Sequence, residues 1–184
     1  MRVLGISGSL RSDSYNLRLL RAAADLLPPE ARLVVFSELK AIPPFDEDDE
    51  GAPAPSVIRW RDAISQADAL LFATPEYNSS IPGALKNAID WASRPTAEAA
   101  LRYKPAAVIG ASSGMFGAVW AQAELRKTLA AAGARVIDRE LPIGEAEDAF
   151  NADGTLAEHD QAVQLGEILA ELQAEVTPRV AALV

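Results

Sequence analysis

Three short segments of this chain gather the residues that could do chemistry. The first is Gly8-Ser9-Leu10-Arg11-Ser12-Asp13-Ser14-Tyr15-Asn16, which brings hydroxyls, an amide side chain and one guanidinium to the start of a helix. Free N–H groups and the helix dipole favour an anion there, and a guanidinium pairs with phosphate through parallel hydrogen bonds. The segment therefore reads as a phosphate cradle. Helix capping alone would account for Ser14 or Asn16, but not for Ser9, Arg11, Ser14 and Asn16 together. It is no Walker loop, because no Gly-Lys-Ser/Thr follows, and Gly5 and Gly8 lack the G-x-G-x-x-G spacing of a dinucleotide site.

The second segment is Pro75-Glu76-Tyr77-Asn78-Ser79-Ser80-Ile81-Pro82-Gly83. Prolines stiffen both ends, while Tyr77 and Asn78 supply a flat ring and an amide. A planar ligand such as a flavin needs a ledge of this kind, with main-chain donors and acceptors along its polar edge. The carboxylate of Glu76 does not suit an electron-rich ring, so its backbone is expected to make the contact. The alternative is an ordinary strand-to-helix turn. The third segment, Ala111-Ser112-Ser113-Gly114-Met115-Phe116-Gly117, has small residues that let a planar ligand approach the main chain. Met115 and Phe116 either cover that ligand or a partner subunit, or belong to the core.

These segments need a scaffold that brings them together. Short apolar runs alternate with amphipathic stretches, the pattern of a parallel sheet wrapped by helices. Strands are expected over Val3–Ser7, Arg32–Ser37, Ala69–Thr74, Ala106–Ser112 and Arg135–Ile137, and helices from near Ser14, Ala54, Pro82, Phe116 and Thr155. Pro28-Pro29 stops the first helix, Pro82 suits the first turn of the third, and Gly133 suits a left-handed cap on the fourth. The fold expected is α/β, flavodoxin-like: a doubly wound five-stranded parallel sheet in order 2-1-3-4-5, with helices on both faces. One domain spans residues 1–184. In such a sheet ligands sit beyond the carboxyl ends of the strands, and all three segments follow strands 1, 3 and 4.

Composition narrows the chemistry. The chain has no cysteine, which excludes disulfides, zinc–thiolate sites, Fe–S ligation and thiol redox chemistry, so any electrons must travel on a bound cofactor. Its single histidine, His159, excludes a His-rich metal site, and no metal is expected. A net charge of −9 argues against binding duplex nucleic acid. No apolar run is long enough to cross a bilayer, and the N-terminus reads as a core strand rather than a signal peptide, which points to the cytoplasm. Trp91, Met115, Phe116 and Trp120 fall near the third and fourth strands, and as exposed apolar side chains they would mark an interface.

On these motifs the chain resembles the NADPH-dependent FMN reductase family, which includes bacterial chromate and quinone reductases. Gly8-Ser9-Leu10-Arg11, Ser14-Tyr15-Asn16, Pro75-Glu76-Tyr77-Asn78, Ile81-Pro82-Gly83, Leu85 to Trp91 and Ser112-Ser113-Gly114 carry the likeness, from Val3 to about Leu129. The resemblance implies that Ser9, Arg11, Ser14 and Asn16 hold the FMN phosphate, and that Leu10 and Tyr15 also belong to the cofactor site. It implies that Pro75, Glu76, Tyr77 and Asn78 carry the isoalloxazine and that Ser112 lies near its other edge. It also implies NADPH or NADH as co-substrate, a quinone, flavin, azo compound or chromate as small-molecule acceptor, and a homodimer or homotetramer. Hydride transfer to a flavin requires no side-chain acid or base, so no catalytic residue is named. The acidic stretch Asp46-Glu47-Asp48-Asp49-Glu50 departs from the family pattern; in similar enzymes this region can approach a neighbouring subunit's pocket.

Three rival readings exist. Gly110-Ala111-Ser112-Ser113-Gly114 matches G-x-S-x-G, and Ser112, Asp138 and His159 would follow the order of a hydrolase triad, but the first two segments would then have no purpose. An electron-carrier flavodoxin would bind FMN without oxidising nicotinamide, though Arg11 fits a reductase better. A phosphoacceptor receiver domain would want aspartates where Ser7 and Thr74-Pro75 stand.

Overall fold

The computed structural model describes residues 1–176. Strands buried on both faces demand near-continuous apolar runs. Those runs become β1 (Arg2–Ser7), β2 (Arg32–Val35), β3 (Ala69–Thr74), β4 (Pro105–Ala111) and β5 (Arg135–Val136). The helices are α1 (Tyr15–Asp25), α2 (Pro55–Ser65), α3 (Gly83–Ala92), α4 (Val119–Ala131) and α5 (His159–Val176). All strand pairs are parallel and the order is β2-β1-β3-β4-β5, the flavodoxin-like order.

Alternate strand positions feed two cores. Leu4, Ile6, Leu70, Phe72 and Val108 pack on one side with Trp60 and Ile64 of α2, Leu85 and Ile89 of α3, and Leu125 of α4. Val3, Leu71, Ala73 and Ile109 pack on the other side with Leu19 and Leu20 of α1 and Leu165, Ile168 and Leu172 of α5. Trp91 belongs to the first core: it is fully buried and its Nε1 donates to Pro43 O at 2.9 Å. The expectation that it is an exposed interface aromatic is therefore wrong. Indole N–H groups can be buried when a carbonyl receives them, and the chain between β2 and α2 provides one.

The fifth position of the sheet is split. β5 pairs with the first half of β4, and a sixth strand that the sequence did not announce, β6 (Pro142–Ile143), pairs with its last two residues. Between them the chain leaves the sheet at Asp138-Arg139-Glu140, three exposed charged residues that a continuous strand between two helical layers would have to desolvate. Instead Arg139 binds Glu167 and Glu171 of α5 at 2.8 and 2.7 Å, and Glu140 accepts from Arg126 of α4 at 2.9 Å.

Helix starts are set locally. Ser14 caps α1, accepting from Asn16 N–H and Leu17 N–H. Pro82 is the N-cap of α3 rather than a member of its first turn. α4 begins at Val119, three residues later than the sequence suggested, because Gly117 (φ +57°) and Ala118 (φ +61°) are left-handed. A Cβ on Gly117 would lie 2.5 Å from Pro142 C, so this turn fits against β6 only without a side chain. Gly133, at φ +92°, follows the C-cap of α4 as expected.

Candidate functional site

The ends of β1, β3 and β4 are in register: Ser7 faces Ala73, and Thr74 faces Gly110. The three chemistry-bearing segments therefore leave the sheet side by side. Gly8 lets the first two meet. Its N–H donates to Ala73 O at 2.8 Å, and a Cβ there would lie 3.0 Å from Leu85 Cδ2 and 3.2 Å from Pro75 Cδ.

In the first segment, Ser7 Oγ donates to Ser9 O at 3.2 Å and Ser9 Oγ accepts weakly from Arg11 N–H at 3.4 Å. The Arg11 guanidinium is exposed, donates to Asp13 O at 3.0 Å and lies 5.8 Å from the centre of the Tyr15 ring. Ser14 uses its acceptor side on the helix cap, which leaves its O–H hydrogen to give. Asn16 is different. Its side-chain amide donates to Ala111 O at 2.9 Å and accepts from Ala111 N–H at 3.0 Å, with both residues buried. This pair ties the start of α1 to the end of β4. An amide that satisfies both backbone groups of one residue positions the loops first, a role the sequence alone gave no reason to suspect.

The second segment is a two-residue hairpin tip. Tyr77 N–H donates to Ser80 O and Ser80 N–H to Tyr77 O, at 3.0 and 3.2 Å, while Asn78 (φ +54°) and Ser79 (φ +59°) are both left-handed. That is a type I′ geometry, strained for Ser79 and tolerable for Asn78. It leaves the Tyr77 ring half exposed. The Glu76 carboxylate turns away, accepting from Ala121 N–H of α4 at 3.1 Å. α4 has no side-chain cap of its own because Ala118 occupies the N-cap, so Glu76 supplies both the acceptor and the negative charge that this helix end favours.

The third segment lies on β6. Ser112 N–H donates to Ile143 O, Ala146 N–H donates to Ser112 O, and Ser112 Oγ accepts from Gly114 N–H at 3.1 Å. Gly144 packs directly under Met115, where a Cβ would lie 2.2 Å from the Met115 carbonyl oxygen. Buried Gln122 of α4 locks the arrangement, donating to Gly117 O and accepting from Leu141 N–H, both at 3.0 Å. Met115, Phe116 and Trp120 are all about half exposed or more, and Phe116 meets Trp120 edge-on with ring centres 5.0 Å apart. They are not core.

Two adjoining cavities result. One, of about 130 Å³, is lined by Ser9, Arg11, Ser14, Tyr15, Tyr77 and Ser112, among others. The other, of about 390 Å³, lies over Gly8, Leu10, Arg11, Tyr77, Pro82 and Gly83. The small one is rich in hydroxyl donors with one cation, Arg11, and Glu76 also lines it, with its carboxylate engaged by Ala121 N–H; the larger is mostly apolar with the Tyr77 ring at its wall. A phosphate suits the first and a planar ring the second. Among the described residues, no group of His, Asp and Glu could hold a metal ion. His159, the first residue of α5, is exposed, and Ser112 Oγ makes its hydrogen bond with Gly114. No triad is assembled.

A family model described as NADPH-dependent FMN reductase matches residues 1–148. An NAD(P)H-dependent FMN reductase of Pseudomonas aeruginosa is 49% identical over 177 residues, 95% of this chain and 92% of that protein. An NADPH:quinone oxidoreductase of Arabidopsis thaliana is 36% identical, over 95% and 91% of the two chains. Among solved structures, a flavoenzyme NAD(P)H:(acceptor) oxidoreductase of Paracoccus denitrificans superposes with a TM-score of 0.80 at 36% identity, covering 95% of this chain and 94% of that one.

Proposed function

The chain belongs to the NADPH-dependent FMN reductase family, and from that premise we propose how its own residues serve a nicotinamide-dependent flavin reductase that passes electrons to quinone-like acceptors. The cofactor is FMN and the reductant NAD(P)H. The observation that carries the reading is the pair of adjoining cavities, one lined by hydroxyls and Arg11, the other apolar beside Tyr77. The donor set matches a monophosphate and a flat ring, and Glu76, the one carboxylate that would repel a reduced ring, is turned onto α4.

In this reading Ser9, Arg11, Ser14 and Tyr15 hold the phosphate, with Leu10 over the neighbouring ring system. Asn16 acts through Ala111, keeping the first and third loops at a fixed separation. The backbone of Pro75, Glu76, Tyr77 and Asn78 takes the polar edge of the ring, and Ser112 lies toward the other edge. FMN held by these residues would supply a ring able to accept hydride from the nicotinamide and to return the electrons to an acceptor. The protein's part is to bind, to orient and to leave one face open for two substrates in turn. No side chain is required as acid or base. A flavin, an azo compound or chromate would use the same open face as a quinone.

The reading extends to a single domain over residues 1–184, a cytoplasmic address, and a homodimer or homotetramer. Exposed Met115, Phe116 and Trp120 beside the site support association, since interfaces favour aromatic residues and methionine. Among the described residues no helix is long and apolar enough to cross a membrane. The deciding experiment is anaerobic mixing of flavin-loaded protein with NADPH and, separately, NADH. Rapid bleaching of the flavin absorbance is expected. Bleaching by dithionite but by neither nucleotide would leave an electron carrier instead.

A further inference from the structure

Of the described residues lining the small cavity, only Arg11 and Glu76 are charged. In the proposed arrangement Arg11 serves the phosphate, which leaves Glu76 as the charged side chain of the loop that takes the ring's edge. Glu76 is half-buried and forms no ion pair among the described residues; its carboxylate accepts from Ala121 N–H at 3.1 Å. Ala121 is the third residue of α4, where N–H groups have no partner within the helix and the macrodipole places about half a positive charge. Within the helix nothing offsets that end. Ala118 at the N-cap makes no side-chain hydrogen bond, and the first turn contains no acidic residue. Nor can the end swing away, because the next residue, Gln122, is buried and held by Gly117 O and Leu141 N–H.

A neutral acceptor such as glutamine would satisfy Ala121 N–H, so hydrogen bonding alone does not call for a carboxylate. What the carboxylate adds is charge. Hydride carries two electrons and one proton. A ring that accepts it from the nicotinamide becomes one unit more negative, and the nucleotide leaves oxidised. A bare positive helix end behind the ring-edge loop would stabilise that reduced ring. It would also hold back the electrons that an acceptor has to receive.

We propose that Glu76 sets the redox balance of the bound FMN. By cancelling the N-terminal charge of α4 it keeps the reduced form from being over-stabilised, so that electrons pass on to the quinone-like acceptor. It acts through α4 and through the field of its own charge rather than by touching the reacting atoms, and is a positioning residue. The proposal rests on the reading that Pro75 to Asn78 take the edge of the ring. It also accounts for a carboxylate in a loop where a reduced ring must be accommodated: the charge is turned onto the helix, not removed.

The test is a pair of binding titrations for each variant, apo protein with oxidised FMN and, anaerobically, with dithionite-reduced FMN. The ratio of the two dissociation constants gives the shift in flavin potential, and apo melting is recorded beside it. Glu76→Gln keeps the acceptor and loses the charge. It should move the ratio roughly tenfold in favour of reduced FMN, a potential about 30 mV higher for a two-electron couple. Glu76→Asp keeps the charge on a side chain one methylene shorter. Its ratio should stay within about twofold of wild type, while its apo Tm falls below that of Glu76→Gln because the cap on Ala121 N–H is lost. Asp25→Asn removes an equal charge from the exposed far end of α1, and beyond a Debye length it should leave the ratio within about twofold. An unmoved ratio in Glu76→Gln overturns the proposal, as does Glu76→Asp shifting as far as Glu76→Gln, which would assign the effect to the hydrogen bond. Loss of both flavin forms from a Glu76→Gln protein that melts normally would make Glu76 a ligand and overturn it too. Tyr77→Ala keeps the two readings apart. Undiminished FMN affinity there removes the ring from this loop and takes the proposal with it, whereas weakened affinity beside an unmoved Glu76→Gln ratio fails the proposal alone.

Discussion

Replacing Asn16 by alanine separates two roles that one residue could have. Its amide makes both hydrogen bonds of the Ala111 backbone, at 2.9 and 3.0 Å, and neither residue is accessible to water. Removing the amide strands one buried N–H and one buried C=O. At about 1–3 kcal/mol for each unsatisfied group, with partial relief from an entering water, the loss is about 2–4 kcal/mol. For a chain of this size that lowers Tm by about 5–15 °C. The melt is run on FMN-stripped protein, so that lost ligand cannot masquerade as lost stability. Asn16→Asp sharpens the test. A carboxylate can accept from Ala111 N–H but repels Ala111 O, whereas the protonated acid can also donate. The folded state therefore holds the proton more tightly than the unfolded chain, whose carboxyl titrates near 3.9. The stability the acid supplies is fully present below that value and is lost as pH rises through the higher folded value. Asn16→Asp should thus approach wild-type stability only at low pH, each variant being compared with wild type at the same pH. An apo Tm unchanged in Asn16→Ala, alongside weakened FMN binding, would refute this reasoning and make Asn16 a direct phosphate ligand.

Arg11→Ala should weaken FMN binding by about 1.5–3 kcal/mol, as expected for a hydrogen bond to a charged group; riboflavin binding, by fluorescence titration, should change much less, and equal losses would count against a phosphate contact. Gly117→Ala adds a Cβ against the Pro142 backbone at positive φ and should cost about 3 kcal/mol in denaturant unfolding; a loss under about 1 kcal/mol would show that the loop yields. Glu76→Gln keeps an acceptor for Ala121 N–H but removes the charge from the end of α4, so apo stability should fall by about 0.3–1 kcal/mol, more at low salt than at high salt. His159→Ala should leave nicotinamide oxidation unchanged, and a fluorophosphonate probe should not label Ser112; labelling that depends on His159 would revive the hydrolase reading.

The sheet was legible because its strands are apolar runs buried on both faces, and that pattern depends little on what lies beyond each strand. Strand order then put three loops together, so the residues around the cavities could be chosen from the sequence. What escaped were pairings between distant segments. Nothing near Glu76 announces that Ala118 leaves α4 uncapped, and nothing near Asn16 announces Ala111, ninety-five positions away. Trp91 was misjudged for the same reason: its partner, Pro43 O, lies in a loop whose path is set by Asn87 and Phe45 rather than by local propensity. β6 was missed because two residues carry no periodicity.

The broken fifth strand also bears on how this protein keeps apart from its own kind. A sheet edge with a long run of free N–H and C=O groups invites another edge to add to it, the first step toward fibrils. Here the edge beyond β4 consists of two two-residue strands separated by residues 137–141, with the exposed Asp138-Arg139-Glu140 in the middle. Arg139 reaches to α5 on one side of the sheet and Glu140 to α4 on the other. An incoming strand would meet charged side chains bridging the two helical layers where it needed a continuous ladder. At the opposite edge β2 is only four residues long, too short to template much. Concentrated solutions should therefore resist cross-β aggregation as long as the fold is intact, and joining β5 to β6 by deleting Asp138 to Glu140 should make them prone to it.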